Sequence, residues 1–260
     1  MTATRSRYTL RAIALGYLAL LIVLPVAMVF YRAFEKGIGA AWDAVTTPPA
    51  QHAFYLTVVI ALIAVPLNAI FGVLTALLLA RGRFPGKRLL DAAVDLPFAV
   101  SPVIVGLALI LVWGRNGWFG LTGIIFSVPG MVLATIFVSL PFVVREVLPV
   151  LREEGTDQEQ AASTLGAGGW AVFRRITLPT IRWGLAYGVV LSTARALGEF
   201  GAVSAVSGNI SGVTQTETLY VQDRFQNYDQ TGAYASSVVL ALLALATLGL
   251  MLLLQRRSSS

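Results

Sequence analysis

Arg195 and Glu199 are the residues whose type and spacing first suggest chemistry, because they fall four apart in an otherwise apolar run from Trp183 to Val206. Four residues are about one helical turn, so guanidinium and carboxylate share a face and can pair. Charge within a membrane span costs about 3 kcal/mol per group on insertion scales, so such residues face a bundle interior. Ser192, three residues before Arg195, extends that face. Two readings stand together without excluding each other: an ion pair that fixes helix packing, and one polar wall of a translocation path.

No other constellation supports catalysis. RGRFPGKR, from Arg81, has three residues between Gly82 and Gly86 and Arg88 after the lysine, whereas a phosphate-cradling P-loop needs four and then Ser or Thr. Gly166-x-Gly168-x-x-Ala171 has dinucleotide-fingerprint spacing, but no strand precedes it. His52 is the only histidine, sits at a span boundary and lacks ligand-spaced partners. Neither a catalytic nor a metal set is expected. With no cysteine, disulfide and thiol chemistry are excluded.

The longest polar interruption, TDQEQAASTLGAGGWAVFRRITLP from Thr156 to Pro179, lies between two apolar blocks. Thr156 and Glu159 have capping-box spacing, which predicts a helix from Asp157. Gly166 predicts its end near Leu165, because glycine adopts the left-handed closing conformation at little steric cost. Trp170 and Phe173 share a helical face that would anchor the short helices onto the span ends. Pro179 is expected to end this piece and to suit the first turn of the next helix.

The rest of the chain explains what holds that loop. Of 260 residues, 57% are hydrophobic and 12% charged, against about 25% charged in soluble domains, so an all-α polytopic membrane bundle is expected. Mean hydropathy is +0.76. A span needs roughly 20 apolar residues. Six are expected: 12–31 with a kink at Pro25, one within 53–80, 96–114 with irregular backbone at Pro97 and Pro102, 124–144, 183–206 and 233–254. The first, following Arg5, Arg7 and Arg11, is read as a retained span rather than a cleaved leader. Residues 117–123 read as an interfacial turn carrying Trp118 and Phe119. The whole chain reads as one transmembrane domain with a cytoplasmic loop at about 145–182.

Lys and Arg distribution sets orientation. Fourteen of the 19 basic residues fall on the side of the termini and the Thr156 loop, and four on the other; Arg195 is the remaining one. Both termini and the loop are therefore expected in the cytoplasm. The same asymmetry accounts for a pI near 10.0 without nucleic acid as partner.

Ala161 and Ala162, then three residues to Gly166, nine more to Ile176 and one to Leu178-Pro179, resemble the EAA motif of ABC-importer permeases. Gln160 stands where the motif usually has glutamate, with Glu159 just before it. The resemblance implies a type I importer permease of MetI-like fold. Its loop residues Glu159, Gln160, Ala161, Ala162, Gly166, Ile176, Leu178 and Pro179 would then dock on an ATP-hydrolysing subunit. ARALGEFGAVSAVSGNI, from Ala194 to Ile210, and FRRITLPTIRWGLAYGVVLSTARA, from Phe173, resemble the sulfate/thiosulfate permeases, closest to their W-type subunit. Molybdate and tungstate permeases share the GEFG core and give the alternative substrate.

That resemblance implies a non-catalytic subunit in a bacterial inner membrane. It implies partnership with a second homologous permease, two ATPase subunits that carry ATP and Mg, and an external sulfate-binding protein. No cofactor is expected on this chain. Ser192, Arg195, Glu199 and Ser204 would line a transient, weakly binding route for the anion, with selectivity residing mainly in the binding protein. A stand-alone channel or secondary transporter would also place polar groups in a span but would not need the Thr156 to Pro179 loop.

Overall fold

The computed structural model describes residues 10, 11 and 13–258; Arg5, Arg7 and Ala12 at the start of the first expected span lie outside them. Twelve helices and no strand occur among the described residues. α1 (Ile13–Phe34) contains a π turn at Ala19–Val23, immediately before Pro25. Proline has no N–H for the carbonyl four residues back, and a wider turn is a common accommodation. α2 (Ile38–Val45) leads to α3 (Pro48–Arg81), whose Pro48 and Pro49 occupy the first helical turn, where no N–H partner is needed.

The third expected span is not one straight helix. α4 (Lys87–Ala99) and α5 (Pro102–Trp113) meet at 117° through Val100 and Ser101, both in extended backbone. A residue before proline is biased to that conformation, so Pro102 sets the corner. α4 begins nine residues earlier than the expected span because Asp91 and Asp95 pair with Arg145, at 2.9 and 2.7 Å. Beyond α5 the interfacial turn is present, with Phe119 stacked on Trp113 at 4.8 Å and Trp118 exposed.

α6 (Val128–Glu154) runs ten residues past the expected end of the fourth span. Its extension buries Val147, Leu148 and Leu151 against Val73, Ala76 and Leu79 of α3, and that helical periodicity keeps the chain helical beyond the apolar block. After α7 (Asp157–Thr164) and α8 (Gly169–Val172), a π turn at Phe173–Thr177 joins α9 (Leu178–Leu197). Pro179 therefore does not end the preceding piece. Leu178 stays helical and its N–H reaches Phe173 O, so a wide turn absorbs the proline.

The fifth expected span breaks at residues 198–200 into α9 and α10 (Gly201–Val206). α11 (Glu217–Gln226) and α12 (Gln230–Ser258) complete the chain. Among the described residues four helices, α1, α3, α6 and α12, are long and apolar enough to cross a membrane, and the bent α4–α5 pair makes up to five. α9 falls outside that set because Arg182 and Arg195 interrupt it near its two ends. The six-span expectation is thus approximate, while the all-α bundle stands.

α3, α6 and α9 form the centre. Gly188 lets α9 approach α6 closely: a Cβ there would lie 2.8 Å from the Val143 Cα. Small residues that permit such approach drive helix association in lipid, where apolar burial alone gives little preference. α1 packs on α12 at the periphery, and its most apolar stretch buries no residue.

Candidate functional site

The polar loop between α6 and α9 is built on α7. Its end is closed as the sequence predicts: Gly166 has φ +84°, its N–H donates to Ser163 O at 3.0 Å, and Ala167 N–H donates to Ala162 O at 3.0 Å. That pair of bonds is a Schellman closure. Its start departs from the predicted capping box. Thr156 makes no cap bond through its side chain, and its hydroxyl instead accepts from Gln160 Nε2 at 2.9 Å.

The Glu159 carboxylate is engaged elsewhere. Arg81, the last residue of α3, donates through Nε to Glu159 Oε2 at 3.1 Å and through Nη2 to Oε1 at 3.3 Å. Thr177 Oγ1 donates to the same Oε1 at 2.9 Å. A two-pronged fork from a guanidinium at a half-buried site outweighs a single bond from a backbone N–H at a helix end. Neither Arg81 nor Thr177 was legible as a site residue, because Arg81 lies 78 positions away.

The remaining loop residues divide by exposure. Gln160, Ala161, Gly166 and Pro179 are exposed, while Ala162, Ile176 and Leu178 are half-buried, with Leu178 packed on the α3–α6 core. Trp170 and Phe173 stack at 5.5 Å, yet only Phe173 joins that core; Trp170 is 73% exposed. Leu165 is 89% exposed at the tip. Its signal in the sequence is a lone leucine within a polar run, directly before the closing glycine. An open groove of about 700 Å³ runs beside α7, lined by Gln160, Ser163, Thr164 and Phe173.

The four polar residues further along do not form one continuous face. Arg195 and Glu199 pair, but they straddle the end of α9 rather than lying within a helix. Arg195 is in the last turn, where a cation meets the negative end of the helix dipole. Glu199, 3% exposed, accepts from Ala202 N–H at 2.7 Å at the start of α10. Ser204 Oγ donates to Gly201 O at 2.8 Å. Ser192 is fully buried and accepts from Asn68 Nδ2 at 3.4 Å; the same nitrogen donates to Ser139 Oγ at 2.7 Å. Ser192 thus joins a polar knot of α3, α6 and α9 that the sequence reading missed.

A second unforeseen acid is Glu217, the first residue of α11 and 2% exposed. Its N–H donates to Thr57 Oγ1 of α3 at 2.8 Å. Burial pushes its carboxyl up to about 7, opposed in part by the nearby Ser236 hydroxyl of α12. Among the described residues no three His, Asp or Glu side chains gather as metal ligands would.

Residues 68–260 match the family described as binding-protein-dependent transport system inner membrane component. Sulfate transport system permease protein CysW of Synechocystis sp. is 53% identical over 97% of this chain and 94% of that one. CysW of Escherichia coli K12 is 49% identical over 92% and 84%, and CysT of Salmonella typhimurium 39% identical over 93% and 92%. A bacterial alginate ABC transporter solved with its pentasaccharide-bound periplasmic protein superimposes with a TM-score of 0.79 at 18% identity, covering 100% of this chain and 96% of its own; this shows the fold. The apolar helices and this kinship make the protein multi-pass in the membrane. The chain belongs to the binding-protein-dependent transport system inner membrane components, the transmembrane permeases of ABC importers.

Proposed function

We propose that this chain is the W-type permease subunit of a sulfate/thiosulfate importer. The observation that carries the reading is identity of 49% to 53% with CysW proteins over nearly the full length. Its partners are a second, T-type permease, two ATPase subunits holding ATP and Mg, and an external sulfate-binding protein. The membrane is the bacterial inner membrane, with both termini and the docking loop cytoplasmic. Arg81 and Glu159 meet, so the basic loop after α3 and the docking loop share one side, in keeping with the charge asymmetry.

In this reading the chain hydrolyses nothing. Exposed Gln160, Ala161, Leu165 and Trp170 meet the ATPase, and half-buried Ala162, Ile176 and Leu178 hold the loop to the spans. Closure of the ATPase pair displaces α7, and the packed helices respond as rigid bodies. A dianion leaving water needs polar groups in its place. Half-buried Arg195 and Ser204 supply them, while buried Glu199 and Ser192 hold the break and the helix packing beneath. The carboxylate beside Arg195 keeps the anion from binding tightly.

The test is labelled sulfate uptake in cells lacking only this subunit, competed with thiosulfate and molybdate. The expected result is loss of uptake, restored by the gene, with thiosulfate competing and molybdate not. Competition by molybdate instead reassigns the substrate to the molybdate/tungstate branch.

A further inference from the structure

We infer that Arg81 is the positioning residue through which the docking helix drives the spans, clamping α7 to the cytoplasmic ends of α3 and α6; this rests on the importer reading above. One guanidinium joins three elements. Besides its fork to Glu159 on α7, Nη1 donates to Leu151 O at 2.8 Å and Nη2 donates to Gly155 O. Leu151 lies among the last four residues of α6, whose carbonyls have no partner within the helix, so the arginine caps α6 while holding α7. Thr177 closes the opposite side by donating to Glu159. The cleft among Arg81, Leu151, Gly155, Glu159 and Thr177 is narrow, with about 10 Å³ open to the centre of a water-sized sphere, roughly room for one water.

The clamp matters because α7 is otherwise loosely held. Gly155, at φ +67°, precedes it, Gly166, at φ +84°, follows it, and α7 itself fully buries no residue. A helix flanked by two such turns would swivel under a push. Tied through Glu159 to Arg81, it moves only with the ends of α3 and α6. Lysine cannot reproduce the link, since a single ammonium lacks the planar fork that reaches a carboxylate and two carbonyls at once.

The test uses the complete complex in proteoliposomes with binding protein, reading anion transported per ATP hydrolysed and ATPase subunits retained per permease. Arg81→Gln is expected to retain the ATPase subunits and to lower transport per ATP about tenfold, as loss of a charge-assisted link implies. Arg81→Lys recovers part of that loss. Arg81→Gln with Glu159→Gln together is expected to stay within about twofold of Arg81→Gln alone, since both break one linkage. An unchanged ratio in an intact Arg81→Gln complex overturns the inference, and so does loss of ATPase subunits without any change in ratio. Should Arg81→Gln fail to assemble, Glu159→Gln, which leaves the Arg81 bonds to α6, decides on the same ratio. The ratio is read with whichever oxyanion stimulates the wild-type complex, so an error in the substrate reading leaves this outcome intact.

Discussion

Asn68 donates to Ser139 at 2.7 Å across the α3–α6 contact, while its own Oδ1 is buried without a partner among the described residues. Between membrane helices such a bond is worth about 1 kcal/mol, because the separated helices find other partners. Asn68→Leu removes the donor and the orphaned acceptor together, so its effect on thermal unfolding in detergent should be under about 1 kcal/mol. Ser139→Ala, which leaves the buried amide donor only its longer bond to Ser192, should cost more, about 1–2 kcal/mol.

Gly188→Leu should disrupt the centre of the bundle. Its side chain has to enter space already held by Val143 of α6, and overpacking of this kind costs about 1–3 kcal/mol. Gly249→Leu on α12, where nothing lies within 4 Å, serves as the control and should be neutral. Membrane expression level and melting temperature report the difference.

Arg195→Gln leaves the buried Glu199 carboxylate facing an uncharged partner and should destabilise by about 3 kcal/mol. Glu199→Gln still accepts from Ala202 N–H through its amide oxygen and should cost less, about 1 kcal/mol. Assembly and uptake measured separately distinguish the roles. Lost uptake in an intact Arg195→Gln complex supports the anion route, and lost assembly supports packing.

Stability should depend on pH through Glu217. Its folded pKa, raised to about 7, lies above the usual carboxylate value of 4.5, so the folded state binds more protons between those limits. Unfolding free energy therefore falls as pH rises from about 4.5 to 7 and levels off above, by about 3 kcal/mol in full. Melting curves between pH 4.5 and 8 should show this slope in the wild type and lose most of it in Glu217→Gln.

Leu165→Asp should separate docking from folding. An 89% exposed side chain makes little difference to stability, within about 0.5 kcal/mol. As an apolar anchor in a partner pocket it should cost at least about 2 kcal/mol of association. Co-purification of the ATPase should fall more than about tenfold with the melting temperature unchanged.

What could be read in the sequence was local. The end of α7 at Gly166 followed from one glycine, and the Leu178-Pro179 spacing marked the start of α9. Long-range partners were out of reach. The capping-box reading of Glu159 failed because a guanidinium from the end of α3 competes for the same carboxylate. The break at Gly198 was hidden within apolar residues, since what ends α9 there is Glu199 turning to serve α10. Pro97 and Pro102 announced irregular backbone, and Pro102 does set the 117° corner, whereas the early start of α4, held by Arg145 of α6 through Asp91 and Asp95, was out of reach. The extra length of α6 was available in the spacing of Val147, Leu148 and Leu151, which the apolar-block criterion passed over.

α3 has 34 residues, a rod of about 51 Å, where the hydrocarbon layer is about 30 Å thick. In the importer reading its Arg81 end lies on the cytoplasmic side and its Pro48 end on the opposite one. Such a rod is a lever with the bilayer as fulcrum. A tilt of about 5° about its midpoint carries each end about 2 Å, in opposite directions. In the same reading, a displacement at Arg81 is carried along α3 to Thr57, which accepts from Glu217 N–H near the far end.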